Sequence, residues 1–217
     1  MSALEASTAT PHGTVVILGA GRQALETCGY LQSQGITVAA LIEEHAPDYP
    51  RDPDLFAAPI FTMATLPDVM GSLPVVTAVG DSDLRRALVD RFPGVAFTSV
   101  VAPGAWISPT ATLGADVTVG PLAIVNARAL IGDHVLVNSG AIVSHNVRLD
   151  DYATVGPGVR IGGDTGIGAS TTIGIGATII DHLRIGSHVV VAAGAVVVSD
   201  VADGTTVMGV PARPVDR

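Results

Sequence analysis

The chain has 217 residues, 48% of them apolar and 14% charged, with a formal net charge of -9. That suits one large domain or two modest ones with a sizeable core. All 11 basic residues are arginine and none form a run, which argues against general nucleic-acid binding. No window offers about 18 uninterrupted apolar residues, so a membrane span is not expected. Met1 to Gly13 lacks the basic and apolar regions of a secretory signal, so a cytoplasmic location is expected. The single cysteine, Cys28, cannot form an intrachain disulfide. It falls in a predicted helix and reads as a small core residue.

In chain order, Thr14 to Leu18 (TVVIL) predicts a buried strand, followed by the turn Gly19-Ala20-Gly21. Apolar periodicity from Ala24 to Gln34 predicts a helix that Gly35 would cap. Ile36 to Ile42 predicts a second strand, ending at the acidic pair Glu43-Glu44. Such a βαβ unit, with a glycine turn after its first strand, presents helix N-terminal amides to a phosphate. The G-x-G-x-x-G fingerprint is incomplete, since Ala24 ends it. A third strand, Val75 to Val79, runs into Gly80-Asp81-Ser82-Asp83. Ser82 or Asp83 would cap a helix starting near Leu84. Fewer than 100 residues precede the next segment, too few for a full dinucleotide domain. Half a Rossmann unit holding one nucleotide fits, with a boundary near residues 101–102.

From Ile107, every sixth residue through Val197 is Ile, Leu or Val, sixteen in succession. The position after each is often glycine, as at 114, 120, 132, 156, 162, 168, 174 and 186. A 3.6-residue helix has no six-residue period. A triangular coil of three short strands does, with one aliphatic of each strand pointing inward and a Gly or Asn easing the corner that follows. Eighteen residues close one coil, so residues 107 to 198 give about five coils and a prism about 25 Å tall.

The order of a short GAG-type βαβ unit, AVGDSDLRR at 78–86, the hexads and Gly209-Val210-Pro211-Ala212-Arg213 resembles the PglD/NeuD-type sugar acyltransferases. These belong to the hexapeptide-repeat acyltransferase superfamily. The likeness covers about residues 14 to 213 and is greatest to N-acetyltransferases acting on UDP-4-amino sugars. It implies a Rossmann-like N-terminal half-domain followed by a left-handed β-helix, with acetyl-CoA as co-substrate. It also implies a nucleotide-linked amino sugar as acceptor and a homotrimer whose site lies between subunits.

On this resemblance the general base is His145, in Asn138-Ser139-Gly140-Ala141-Ile142-Val143-Ser144-His145. It lies near a corner and is expected to face outward. An imidazole suits proton uptake from an attacking amine near neutral pH. The family often follows this histidine with Glu or Asp; here Asn146 stands instead, able to orient the ring but not to lend it charge. Tyr152, Ile175 and Ala193 would contact acetyl-CoA, Tyr152 standing where the family often has His. Gly21, Arg22, Gln23, Glu43, Glu44 and Gly80 would meet the nucleotide-sugar. His134, His182 and His188 read as surface residues.

Three alternatives stay open: O- rather than N-acetylation, a non-catalytic nucleotide-sugar-binding protein, and a γ-type carbonic anhydrase. The last would need His145, His182 and His188 to converge on zinc between subunits.

Overall fold

The computed structural model describes residues 13–43, 58–62 and 73–215. The first apolar run forms strand β1 (Thr14–Leu18). Val15 to Leu18 are fully buried, as befits a central parallel strand covered on both faces. It pairs with β2 (Thr37–Glu43) on one side and β4 (Val75–Thr77) on the other, and β3 (Ile60–Thr62) lies outside β2. All these pairs are parallel, and the order is β3-β2-β1-β4. Helix α1 (Arg22–Gln32) packs Ala24, Cys28 and Leu31 against Val15, Ile17 and Leu41. Phe92, Val95 and Phe97 cover Val16, Leu18 and Ile42 on the other face.

The elements agree with the sequence pattern except at their ends. Helix α1 starts two residues before the apolar periodicity does, because Gly21 in extended conformation serves as its N-cap. Helix α2 (Ser82–Val89) is capped by Asp81 instead of Ser82 or Asp83, its carboxylate accepting the Leu84 N–H at 2.9 Å. The strand expected over 75–79 stops at Thr77.

From Val100 onward the chain winds into a parallel β-solenoid of two-residue strands separated by tight turns. Strands 18 residues apart pair in register, as Leu130 with Arg148 and Ile131 with Leu149. They form three faces, one of them running from Val100–Val101 to Thr206–Gly209. A final antiparallel strand, Ala212–Val215, closes that face. The 18-residue register holds through Val197. The coil after it is two residues shorter, so that Val201 bridges Ile185 and Thr206 pairs with Val190. Fifteen of the sixteen expected inward aliphatics are buried, and Ile107 in the first coil packs against the core from its edge.

The hexad glycines act differently from the sequence expectation. Positive φ at the turns falls two residues later, on ten non-glycine residues including Asp116, Leu122, His134, Asn146, Tyr152 and Asp164. The glycine after the aliphatic is needed for contact instead. A Cβ on Gly174 would lie 2.6 Å from the Ala193 nitrogen of the next coil, so the constraint is interlayer spacing.

The turns stack into three corners, each a column with an 18-residue step. One carries Asp116, His134, Tyr152, Ser170 and His188. A second carries Leu122, Gly140, Gly158, Gly176 and Gly194. The third carries Arg128, Asn146, Asp164 and His182. Helix α2 docks on the first. There Arg85, 2% exposed, donates to the carbonyl oxygens of His134 (2.9 Å), Val79 (2.7 Å) and Tyr152 (2.8 Å) and to Thr154 Oγ1 (2.9 Å). Burial lowers its pKa to about 10, against the raising influence of Asp116, Asp81 and Tyr152.

Candidate active site

His145 stands at the third corner with its side chain 61% exposed, outward as the hexad phase demands. Three features fix its ring. The Asn146 amide nitrogen lies 3.1 Å from Nδ1. The Asp164 carboxylate, one coil further on, lies 3.6 Å from Nδ1, and the Asp164 N–H donates to the His145 carbonyl oxygen at 3.1 Å. The third feature is Gly163. A Cβ there would fall 2.7 Å from Nε2 and 2.9 Å from Nδ1, so the imidazole lies directly over this glycine. The Asn146 amide also donates to the other Asp164 oxygen at 2.9 Å. An exposed imidazole on a rigid turn, with a carboxylate beside it, can take a proton from a nucleophile docked against the corner.

The other expected site residues are spread over the molecule. Ile175 (63% exposed) and Ala193 lie at the second corner on consecutive coils, tied by the hydrogen bond from the Gly194 N–H to the Ile175 carbonyl. Tyr152 lies at the first corner, under α2. Its ring stacks on His134 with centroids 4.8 Å apart, and the Arg86 guanidinium sits 4.6 Å above it. Desolvation raises the Tyr152 pKa. Within one chain, then, the structure does not bring Tyr152, Ile175 and Ala193 to His145, since they occupy different corners.

In the N-terminal part, Gly21 caps α1, Arg22 is exposed at its first turn, and Glu43 ends β2 half-buried. Gly80 lies past the end of β4, its carbonyl accepting from Thr154 Oγ1 at 3.2 Å. Gln23 points the other way, lining a small cavity at the junction with Thr77, Arg85, Asp116 and His134. Glu44 lies outside the described residues.

His134 is not a surface residue. It is 9% exposed, its Nδ1 lies 2.7 Å from Asp116 Oδ2, and Phe97 meets its ring edge-on. Asp116 in turn accepts from the Thr77 N–H (2.9 Å) and hydroxyl (2.6 Å). The reading from hexad phase failed because it placed the residue at a corner, correctly, but could not know that α2 and β4 cover that corner. His182 and His188 are exposed, with separate carboxylates nearby: Asp181 at 3.6 Å and Asp83 at 3.7 Å. Among the described residues of one chain, no three His, Cys, Asp or Glu side chains are grouped as a metal site requires. Cys28 is buried as expected, and desolvation raises its pKa to about 11, so it is a poor nucleophile.

Sequence reasoning missed Asp164, Gly163 and Arg85. The first two had a legible signal, because they stand 18 residues after Asn146 and His145 and so occupy the same corner. Arg85 had none, since a buried arginine in a short helix reads as solvated.

The bacterial transferase hexapeptide model (six repeats) matches residues 128–163, the stretch that holds His145. No curated protein sequence matches the chain. Among solved structures, a variant of GDP-perosamine N-acetyltransferase from Caulobacter crescentus, in complex with CoA and GDP-perosamine, is 32% identical with a TM-score of 0.86. The alignment covers 97% of this chain and 100% of that one. The chain belongs to the hexapeptide-repeat sugar acyltransferases. The solenoid of this acyltransferase is accordingly a left-handed β-helix. The acetyltransferase domain of PglB from Neisseria gonorrhoeae, in complex with acetyl coenzyme A, is 28% identical with a TM-score of 0.82, covering 93% of the acyltransferase and 98% of that domain. WeeI from Acinetobacter baumannii shares the fold at 24% identity and a TM-score of 0.82, over 94% of this chain and 100% of that one. No helix among the described residues of the acyltransferase is long and apolar enough to cross a membrane.

Proposed function

We propose that the protein transfers the acetyl group of acetyl-CoA to the amino group of a nucleoside-diphosphate-linked amino sugar, with His145 as general base. The observation that carries this reading is the whole-length likeness to an N-acetyltransferase bound to CoA and GDP-perosamine. The placement of His145 on an exposed, rigid corner supports it.

In the reaction, the acceptor amine attacks the thioester carbonyl carbon, the C–S bond breaks, and the CoA thiolate leaves. His145 takes the proton that the nitrogen sheds as the C–N bond forms, and backbone amides at the corner stabilise the oxyanion. The proton then passes to the thiolate, a good leaving group that needs no strong acid.

The N-terminal sheet, ordered β3-β2-β1-β4, is read as a Rossmann-like half-domain that holds the nucleotide. Its α1 N-terminus, capped by Gly21 with no side-chain cap bond, offers open amides to a diphosphate. On this reading Arg22 meets a phosphate oxygen, and Glu43 and Glu44 meet the sugar or base. The resemblance in sequence favours a UDP-linked acceptor, whereas the solved complex at 32% identity holds a GDP-linked one. Because Ile175 and Ala193 lie on a different corner from His145, the site is read as closing between prisms of a homotrimer. One chain supplies the histidine and its neighbour the pantetheine surface.

The test is release of free CoA thiol from acetyl-CoA with a panel of UDP- and GDP-amino sugars. His145→Ala is expected to lose turnover by roughly 10²- to 10⁴-fold while acetyl-CoA binding persists. A variant with wild-type turnover would place the base elsewhere. Product mass and resistance to hydroxylamine separate N- from O-acetylation, and sedimentation as a monomer would contradict the shared site.

A further inference from the structure

We propose that Asp164 is a positioning residue for His145, supplying from the next coil the negative charge that Asn146 cannot. This rests on the reading of His145 as the base. The residue after His145 is Asn146, whose amide carries no charge. The corner geometry supplies one: position 164 stacks on position 146, and the Asp164 Oδ2 lies 3.6 Å from His145 Nδ1.

The other Asp164 oxygen accepts from the Asn146 amide at 2.9 Å, and that same nitrogen lies 3.1 Å from Nδ1. One carboxylate therefore does two things. It anchors the Asn146 amide beside the ring by accepting its N–H. It also places a full negative charge beside the imidazolium that forms when the base takes its proton. That second effect does not depend on which ring nitrogen receives the proton.

The charge thus comes from the neighbouring coil. A solenoid permits this because residues 18 apart in sequence stack on one another, here Asp164 on Asn146, and the Asp164 N–H donates to the His145 carbonyl in the coil before. The other ionisable groups of this corner are Arg128 one coil before Asn146, and the Asp181–His182 pair one coil beyond Asp164. Neither hydrogen-bonds to or ion-pairs with the His145 ring.

The experiment compares four chains: wild type, Asp164→Asn, Asn146→Asp, and the swap Asn146→Asp with Asp164→Asn. Both positions have positive φ, 55° at Asn146 and 58° at Asp164. Asn and Asp are the non-glycine residues that best tolerate this, so the backbone persists in every variant. Asp164→Asn is expected to lower kcat/KM for the amine acceptor by about tenfold, leave acetyl-CoA affinity unchanged, and move the acidic limb of the rate profile to lower pH. The swap is expected to restore most of the rate and the position of that limb. An Asp164→Asn chain with wild-type rate and profile would overturn the proposal, as would a swap that rescues nothing.

If the wild-type chain releases no CoA with any amine, the functional reading fails by itself. The charge pairing is then read directly by following protonation of the His145 ring by NMR, assigned by its loss in His145→Ala. The ring is expected to take up its proton at lower pH in Asp164→Asn than in wild type, and identical midpoints would reject the pairing.

Discussion

Replacing Arg85 with methionine tests how the N-terminal sheet is held to the solenoid. Methionine keeps the length and apolar stem of the side chain but removes all its donors. Six acceptors lose a partner: the carbonyls of Val79, Gly80, His134, Tyr152 and Ala153 and the Thr154 hydroxyl. Hydrogen bonds from a charged donor contribute about 1.5–3 kcal/mol each, but they share one guanidinium and do not add. Burying that guanidinium also costs free energy, as its lowered pKa of about 10 records, and the substitution recovers that cost. Removal also leaves the buried Asp116 carboxylate without its nearby cation, although Thr77 and His134 still face it. The net expectation is a loss of about 3 kcal/mol, the lower part of the range for breaking a buried charge network. With a urea m-value of about 2–3 kcal/mol/M, the unfolding midpoint followed by circular dichroism at fixed chain concentration falls by roughly 1 M. A midpoint unchanged within error would mean that apolar packing of α2, not Arg85, joins the two parts.

Three further outcomes follow from specific contacts. Gly163→Ala places a methyl group where the His145 ring now lies, so turnover is expected to fall at least tenfold while the thermal midpoint moves little, since the exposed ring can swing away; unchanged turnover would show that the ring position is immaterial. Ile161→Ala empties a fully packed place in the solenoid core and is expected to cost about 2–5 kcal/mol in urea unfolding. The Cys28 pKa is raised from 9.0 to about 11 by burial, so the unfolded thiol ionises first. Its contribution is complete below pH 9 and lost as pH rises towards 11. Stability at pH 10.5 is therefore expected to be lower than at pH 8, and Cys28→Ala should reduce that difference by roughly 1 kcal/mol or more. An identical decline in the variant would assign it to other groups, among them Tyr30 and Tyr152, whose pKa values burial also raises.

The sequence by itself determined the solenoid. Its inward residues recur every six positions, and a two-residue strand joined to a tight turn has only one way to bury them, so periodicity translates directly into coordinates. For the same reason it placed His145 on an outward corner, and it carried the stacking of Asp164 on Asn146 as an 18-residue offset. Strand β1 was equally legible, because a continuous apolar run fits only the middle of a covered parallel sheet. Tertiary structure alone decided what covers the prism. His134 and His182 share the same local turn and the same positive φ, yet one is buried against Asp116 and Tyr152 while the other faces solvent. The difference comes from α2, whose Arg85 is drawn into carbonyls distant in sequence. No local pattern encodes that contact, since its energy arises only when two surfaces distant in the chain exclude water from between them.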